Sequence, residues 1–169
     1  MQALLTEERF DFVTPADKEF LLAFNQAMNA AGYDCGSEFR DGFCWGIFML
    51  VYTKIGVKSD KCYCRIYLRK ESIAVRMYLN NVDEHSTFIE RAPEHIKTAF
   101  TGEFGTCTFC KSDKESSCRY RKSYCIDNNQ YYKCNGYVFE FWEPRVTKIS
   151  DYLALLQEFY PHKTRRVIQ

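Results

Sequence analysis

The chain has 169 residues, a length that fits one domain, and its 23 basic and 22 acidic side chains leave no net field to attract a polyanion. Hydrophobic residues at 46% and charged residues at 27% are enough for a core and a soluble surface. Residues 1–9 carry Glu7 and Glu8 where a signal peptide needs an apolar run, and the longest apolar stretch, 47–52, is far too short to span a bilayer. The expectation is a cytoplasmic protein with no membrane partner, in which nine cysteines serve as thiols and metal ligands, not as a disulfide framework.

In chain order, Phe10, Phe12 and Val13 suit a short strand or a packed arm. Thr14, Pro15 and Asp17 form a helix start, with a capping hydroxyl, a proline at the first helical position and an acid at the positive helix end. Phe20, Leu21, Phe24, Met28 and Ala31 share one face, so a helix is expected over 15–31, closed by Gly32. A loop follows over 33–42. The aromatic and β-branched run 43–55 suggests one central strand covered on both sides. Residues 61–69 alternate, with Cys62, Cys64, Ile66 and Leu68 inward and Tyr63, Arg65, Tyr67 and Arg69 outward. After a turn at Lys70-Glu71, Ile73, Val75, Met77 and Leu79 point inward from 72–79, which completes a three-stranded antiparallel meander.

Residues 80–100 read as two helical pieces divided at Pro93, the first capped by Asp83. Glu143-Pro144 ends the last strand, and Ser150 can cap a helix over 151–160 that buries Tyr152, Leu155, Leu156 and Phe159. The fold class expected is α+β: an antiparallel meander packed on helices, a cysteine-rich β-hairpin extension and a C-terminal helix. One domain, 1–169, would comprise a core (1–103), a cysteine-rich β unit (104–142) and a C-terminal helix with a basic tail (143–169).

The cysteine-rich unit carries the chemistry. Cys107-x-x-Cys110 can bring two sulfurs to one metal ion, and Zn²⁺ wants four such ligands in a tetrahedron. Cys118, Cys125 and Cys134 are the candidates to complete the set. Cys118 and Cys125 lie seven positions apart, so on one strand they face opposite ways and cannot both be ligands. If Asn128-Asn129 is the turn, Tyr132 lies across from Cys125 and Cys134 is its diagonal neighbour, which favours Cys125. The pattern FGTCTFC, CRYRKSYCID, YYKCNGYVFEF and YLALLQEFYP also resembles small bacterial proteins of unassigned activity with a C-terminal four-cysteine, zinc-ribbon-like cluster. That resemblance implies Cys107, Cys110, Cys118 and Cys134 as ligands, with Cys125 an extra residue in a strand, and it requires a bend near Cys118.

Four thiolates close a zinc site, so the metal would be structural. Cys35, Cys44, Cys62 and Cys64 are expected as small buried hydrophobes. A thiol-redox use of Cys107 and Cys110 lacks the following helix that usually lowers the first thiol's pKa. Arg119, Tyr120, Arg121, Lys122, Tyr124 and Tyr132 interleave cations with aromatics, as single-strand binders do. Arg65, Tyr67, Arg76 and Tyr78 repeat the composition on the outward meander face, where the plain alternative is a solvated sheet surface. Trp45 and Trp142 are expected in the core. No catalytic motif is present. The functions to weigh are a binding module with one structural zinc, taking nucleic acid, an anionic small molecule or a protein; a small-molecule sensor or enzyme with a pocket between the Trp45 strand and the helices; and a thiol-redox protein.

Overall fold

A computed structural model describes residues 1–58, 61–102, 118, 120–134 and 136–161. Antiparallel sheets and four α-helices among these residues make an α+β fold with a C-terminal helix. The N-terminal segment forms no strand; two 3-10 turns, Leu4–Thr6 and Glu8–Phe10, pack as an arm that buries Phe10 and Val13. Helix α1, Pro15–Ala30, starts as its sequence dictates: the Asp17 N–H donates to Thr14 Oγ1 at 3.1 Å. Its buried face is Phe20, Leu21, Phe24 and Met28, and the chain leaves through Gly32 at φ +80°.

Two short strands replace the loop expected over 33–42. β1, Tyr33–Asp34, and β2, Arg40–Asp41, both pair with β3, Phe48–Lys54. The single strand expected over 43–55 is cut, because Phe43–Trp45 is a 3-10 turn. The cause is local. Gly42 and Gly46 pack so closely that a Cβ on Gly42 would lie 2.4 Å from the Gly46 carbonyl oxygen. Phe43 takes φ +51°, and its N–H donates to Asp41 Oδ1 at 2.7 Å. This loop carries Trp45 out of the strand.

β4, Cys64–Arg69, and β5, Ser72–Tyr78, complete the meander, and β8, Val138–Trp142, pairs antiparallel with β5. The sheet order is therefore β1-β3-β4-β5-β8, with β2 also on β3. Cys64, Ile66, Leu68, Ile73, Val75, Met77 and Leu79 are buried as expected. Cys62 departs from that pattern. Cys64 is the register partner of Tyr52, and the Tyr63 N–H also donates to the Tyr52 carbonyl. This irregularity puts both Tyr63 and Cys64 in the core and leaves Cys62 half-buried beside Arg65.

A 3-10 turn, Val82–His85, precedes α2, Ser86–Arg91; Pro93 then separates it from α3, Glu94–Thr101. Asp83 does not cap α2, because its carboxylate accepts the Cys125 N–H at 2.8 Å. α4, Ile149–Phe159, begins one residue before Ser150 and has no side-chain cap. Tyr152 of α4 meets Phe20, Phe24 and Phe141 edge-on, which joins α1, α4 and β8.

Of the cysteine-rich unit expected over 104–142, β8 extends the meander through its pairing with β5. β6, Lys122–Ile126, and β7, Asn129–Lys133, form their own two-stranded sheet. Tyr124 and Ile126 nevertheless belong to the same buried cluster as Phe100, Phe139 and Phe159. No helix among the described residues is long and apolar enough to cross a membrane.

Candidate functional site

Cys107, Cys110 and Arg119 lie outside the described residues. For the other cysteines the hairpin register decides who can meet. Asp127 and Asn128 take φ +50° and +62°, the paired left-handed geometry of a two-residue type I′ turn. The turn is thus one residue earlier than Asn128-Asn129. Ile126 pairs with Asn129, Cys125 with Gln130 and Ser123 with Tyr132. Cys125 is exposed at the turn end, and Cys134 follows Lys133 at the open end. Four rungs separate Gln130 from Cys134, about 13 Å along the strand, so Cys125 and Cys134 are not diagonal neighbours.

Cys118 lies at the open end with Cys134. Its carbonyl accepts the Arg121 N–H at 3.0 Å, and the Gly136 N–H donates to the Tyr120 carbonyl at 2.8 Å. The first bond closes a turn between Cys118 and Arg121; the second draws the strand ends together. Both cysteines are half-buried. Among the described residues no three His, Cys, Asp or Glu side chains gather around one point. Of the other cysteines, Cys35 and Cys64 are buried as expected, whereas Cys44 is exposed because it rides on the Trp45 loop.

The two aromatic-basic faces differ. On the meander Tyr67 is 2% exposed and Arg76 6% exposed, so this is no solvated ladder. The Trp45 ring covers Arg76, with the guanidinium carbon 3.9 Å from its centroid. Arg65 donates from Nη1 to Tyr67 Oη at 3.2 Å and lies over Tyr78 at 5.3 Å. Trp45 therefore sits on the sheet face opposite the helices, outside any pocket between them. Trp142, expected in the core, is 45% exposed beneath Arg69, since its parity on β8 is outward.

On the hairpin, Tyr124 is buried and Lys122 half-buried, so neither faces solvent as expected. Tyr120 and Tyr132 are 55% and 49% exposed, and the Arg121 guanidinium lies 4.5 Å over the Tyr132 ring. Beneath them Lys133 is buried near Glu140 and Arg76. Burial pushes its amine down to about 8, Glu140 and Cys134 working against the fall and Arg76 adding to it.

His85 and His95 stand in no motif, yet both meet α4. His85 Nδ1 lies 2.9 Å from Glu158, and His95 Nε2 lies 3.2 Å from Asp151. The His95 contact is an ion-pair distance without hydrogen-bond geometry. Burial lowers the His95 pKa, Asp151 opposes the fall and Lys148 adds to it. No spacing rule finds such pairs, because the partners are some 56 to 73 positions apart in the chain.

A cleft of about 420 Å³ opens between the first turn of α1, the β4–β5 turn and residues 143–147. Asp17, Glu19, Glu71 and Glu143 outnumber Arg145 on its wall, which disfavours an anionic occupant. No protein-family model, curated protein or solved structure matches the chain.

Proposed function

We propose that the protein is a non-catalytic binding module in which one structural zinc, held by Cys107, Cys110, Cys118 and Cys134, fixes the open end of the β6–β7 hairpin. The fixed hairpin presents Tyr120, Arg121 and Tyr132 to single-stranded nucleic acid. The observation that carries this reading is the half-exposed pair of tyrosines with a guanidinium stacked on one of them. A half-exposed aromatic ring with a cation stacked on it offers a base a ring to stack on and a phosphate a charge, the unit that single-strand binders repeat. The placement of Cys118 and Cys134 together, with Cys125 at the other end, supports the four-cysteine set that excludes Cys125.

Two measurements test it. Protein purified without added metal is expected to hold one zinc per chain; Cys118→Ser loses it and Cys125→Ser keeps it. Fluorescence anisotropy with a labelled oligothymidylate is expected to show binding that weakens with salt. Tyr132→Ala weakens it by about 5- to 150-fold, the loss of one stacked base. Equal binding by wild type and Tyr132→Ala rules the platform out.

A further inference from the structure

The outward face of the meander holds an arrangement that packing alone does not explain. In the register, Val51 pairs with Arg65, Arg65 with Arg76, and Arg76 with Glu140. Two arginines directly opposite on antiparallel strands repel each other, and this row supplies one carboxylate. Arg76 is more than nine-tenths buried. Its Nε approaches Glu140 Oε1 to 3.3 Å, outside hydrogen-bond geometry, and is buried without an acceptor. Arg65 Nε is also buried without one. Folded proteins pair nearly all such groups, so two adjacent guanidinium N–H groups lacking acceptors need a reason.

The aromatic groups around them supply it. Trp45 covers one face of Arg76, and Tyr78 lies under Arg65. Stacking occupies the faces of a guanidinium and leaves its in-plane N–H edges to donate. Arg65 commits one edge to the Tyr67 hydroxyl, and the Cys62 thiol lies beside it. Arg65, Tyr78 and Trp45 are each half-buried, so solvent reaches the row at the Arg65 side. From this geometry we infer that the Arg65–Arg76 row is a binding site for a small oxyanion, a phosphate or carboxylate group whose oxygens accept from both arginines between aromatic walls. The site shares no residue with Tyr120, Arg121 and Tyr132, so it stands or falls apart from the hairpin platform.

Thermal unfolding of the full chain in chloride, inorganic phosphate or acetate at equal ionic strength tests it, with 31P line broadening as a direct readout. A saturable rise in Tm of about 5 °C or more is expected at a hundredfold excess over Kd. A rise in phosphate alone assigns a phosphate group, in acetate alone a carboxylate, and in both a general oxyanion site. Arg65→Met should abolish the rise and melt in chloride within a degree of wild type or above it, because a like-charged neighbour has gone. Arg65→Lys keeps the charge, lacks the Nε–H donor and should weaken phosphate binding at least tenfold in the 31P titration. No rise beyond chloride in either anion overturns the inference. So does an Arg65→Met chain that retains the rise or melts well below wild type in chloride, and so does wild-type phosphate affinity in Arg65→Lys.

Discussion

Tyr124 decides whether the cysteine-rich hairpin belongs to the body of the protein. Its ring is 1% exposed, stacked on Tyr131 and edge-on to Phe100 and Phe139. Its hydroxyl donates to the Phe100 carbonyl at 2.6 Å. Phe100 is in the last turn of α3, where a carbonyl has no partner within the helix. Tyr124→Phe therefore keeps the packing and strands one buried acceptor, a loss of about 1–2 kcal/mol. Tyr124→Ala also removes the ring and opens a cavity among aromatic side chains, a loss of about 3–5 kcal/mol. For a chain of this size each kcal/mol moves Tm by about 2–4 °C, so the two variants separate clearly. Circular dichroism melts should show Tyr124→Phe a few degrees below wild type and Tyr124→Ala about 10 °C below, both as single transitions. If Tyr124→Ala leaves the main transition within about a degree of wild type, the hairpin is an appendage and its packing contributes nothing to the core.

Two further perturbations address the Trp45 loop and the α4 contacts. Gly42→Ala would force the loop open, because its Cβ would meet the Gly46 backbone at 2.4 Å; a loss of about 1–3 kcal/mol and a changed near-ultraviolet signal from Trp45 are expected. An unchanged melt and spectrum would mean that the loop does not hold Trp45 on Arg76. The depressed His95 pKa means that the unfolded chain takes up a proton first as pH falls below about 6.5, so neutral His95 favours folding fully above that pH and its contribution is lost as pH falls through the folded pKa. His95→Gln should flatten the slope of stability against pH below 6.5 in urea titrations, and a slope identical to wild type would refute that sign.

Much of the fold was legible because the physics behind it is local. A capping threonine, a proline at the first helical position and a closing glycine set α1 to within a residue, and strict alternation placed the inward faces of β4 and β5. The misses came where a short-range steric fact outweighed composition. The run 43–55 has strand-forming residues throughout, but the close approach of Gly42 and Gly46 turns Trp45 out of the strand. Asp83 has the chemistry of a helix cap, yet the Cys125 N–H, 42 positions away, holds its carboxylate. Nothing in local sequence reports a partner at that distance.

The candidate site shows the same division at finer scale. A turn placed one residue late changes which residues are cross-strand neighbours. With Asn128-Asn129 as the turn, Cys125 and Cys134 share a face as diagonal neighbours; with Asp127-Asn128 they sit at opposite ends of the hairpin. Both φ angles of the observed turn are positive, a geometry that Asp and Asn tolerate better than most residues. Composition therefore allows either dipeptide, and moving the turn by one residue slides the pairing by two positions, which leaves Tyr124 and Ile126 on the same face and changes only their cross-strand neighbours. Because Tyr124 and Ile126 point into the core, Cys125 between them faces solvent, and the register puts Cys134 past Lys133 at the open end. The register, more than residue type, thus separates Cys125 from Cys134.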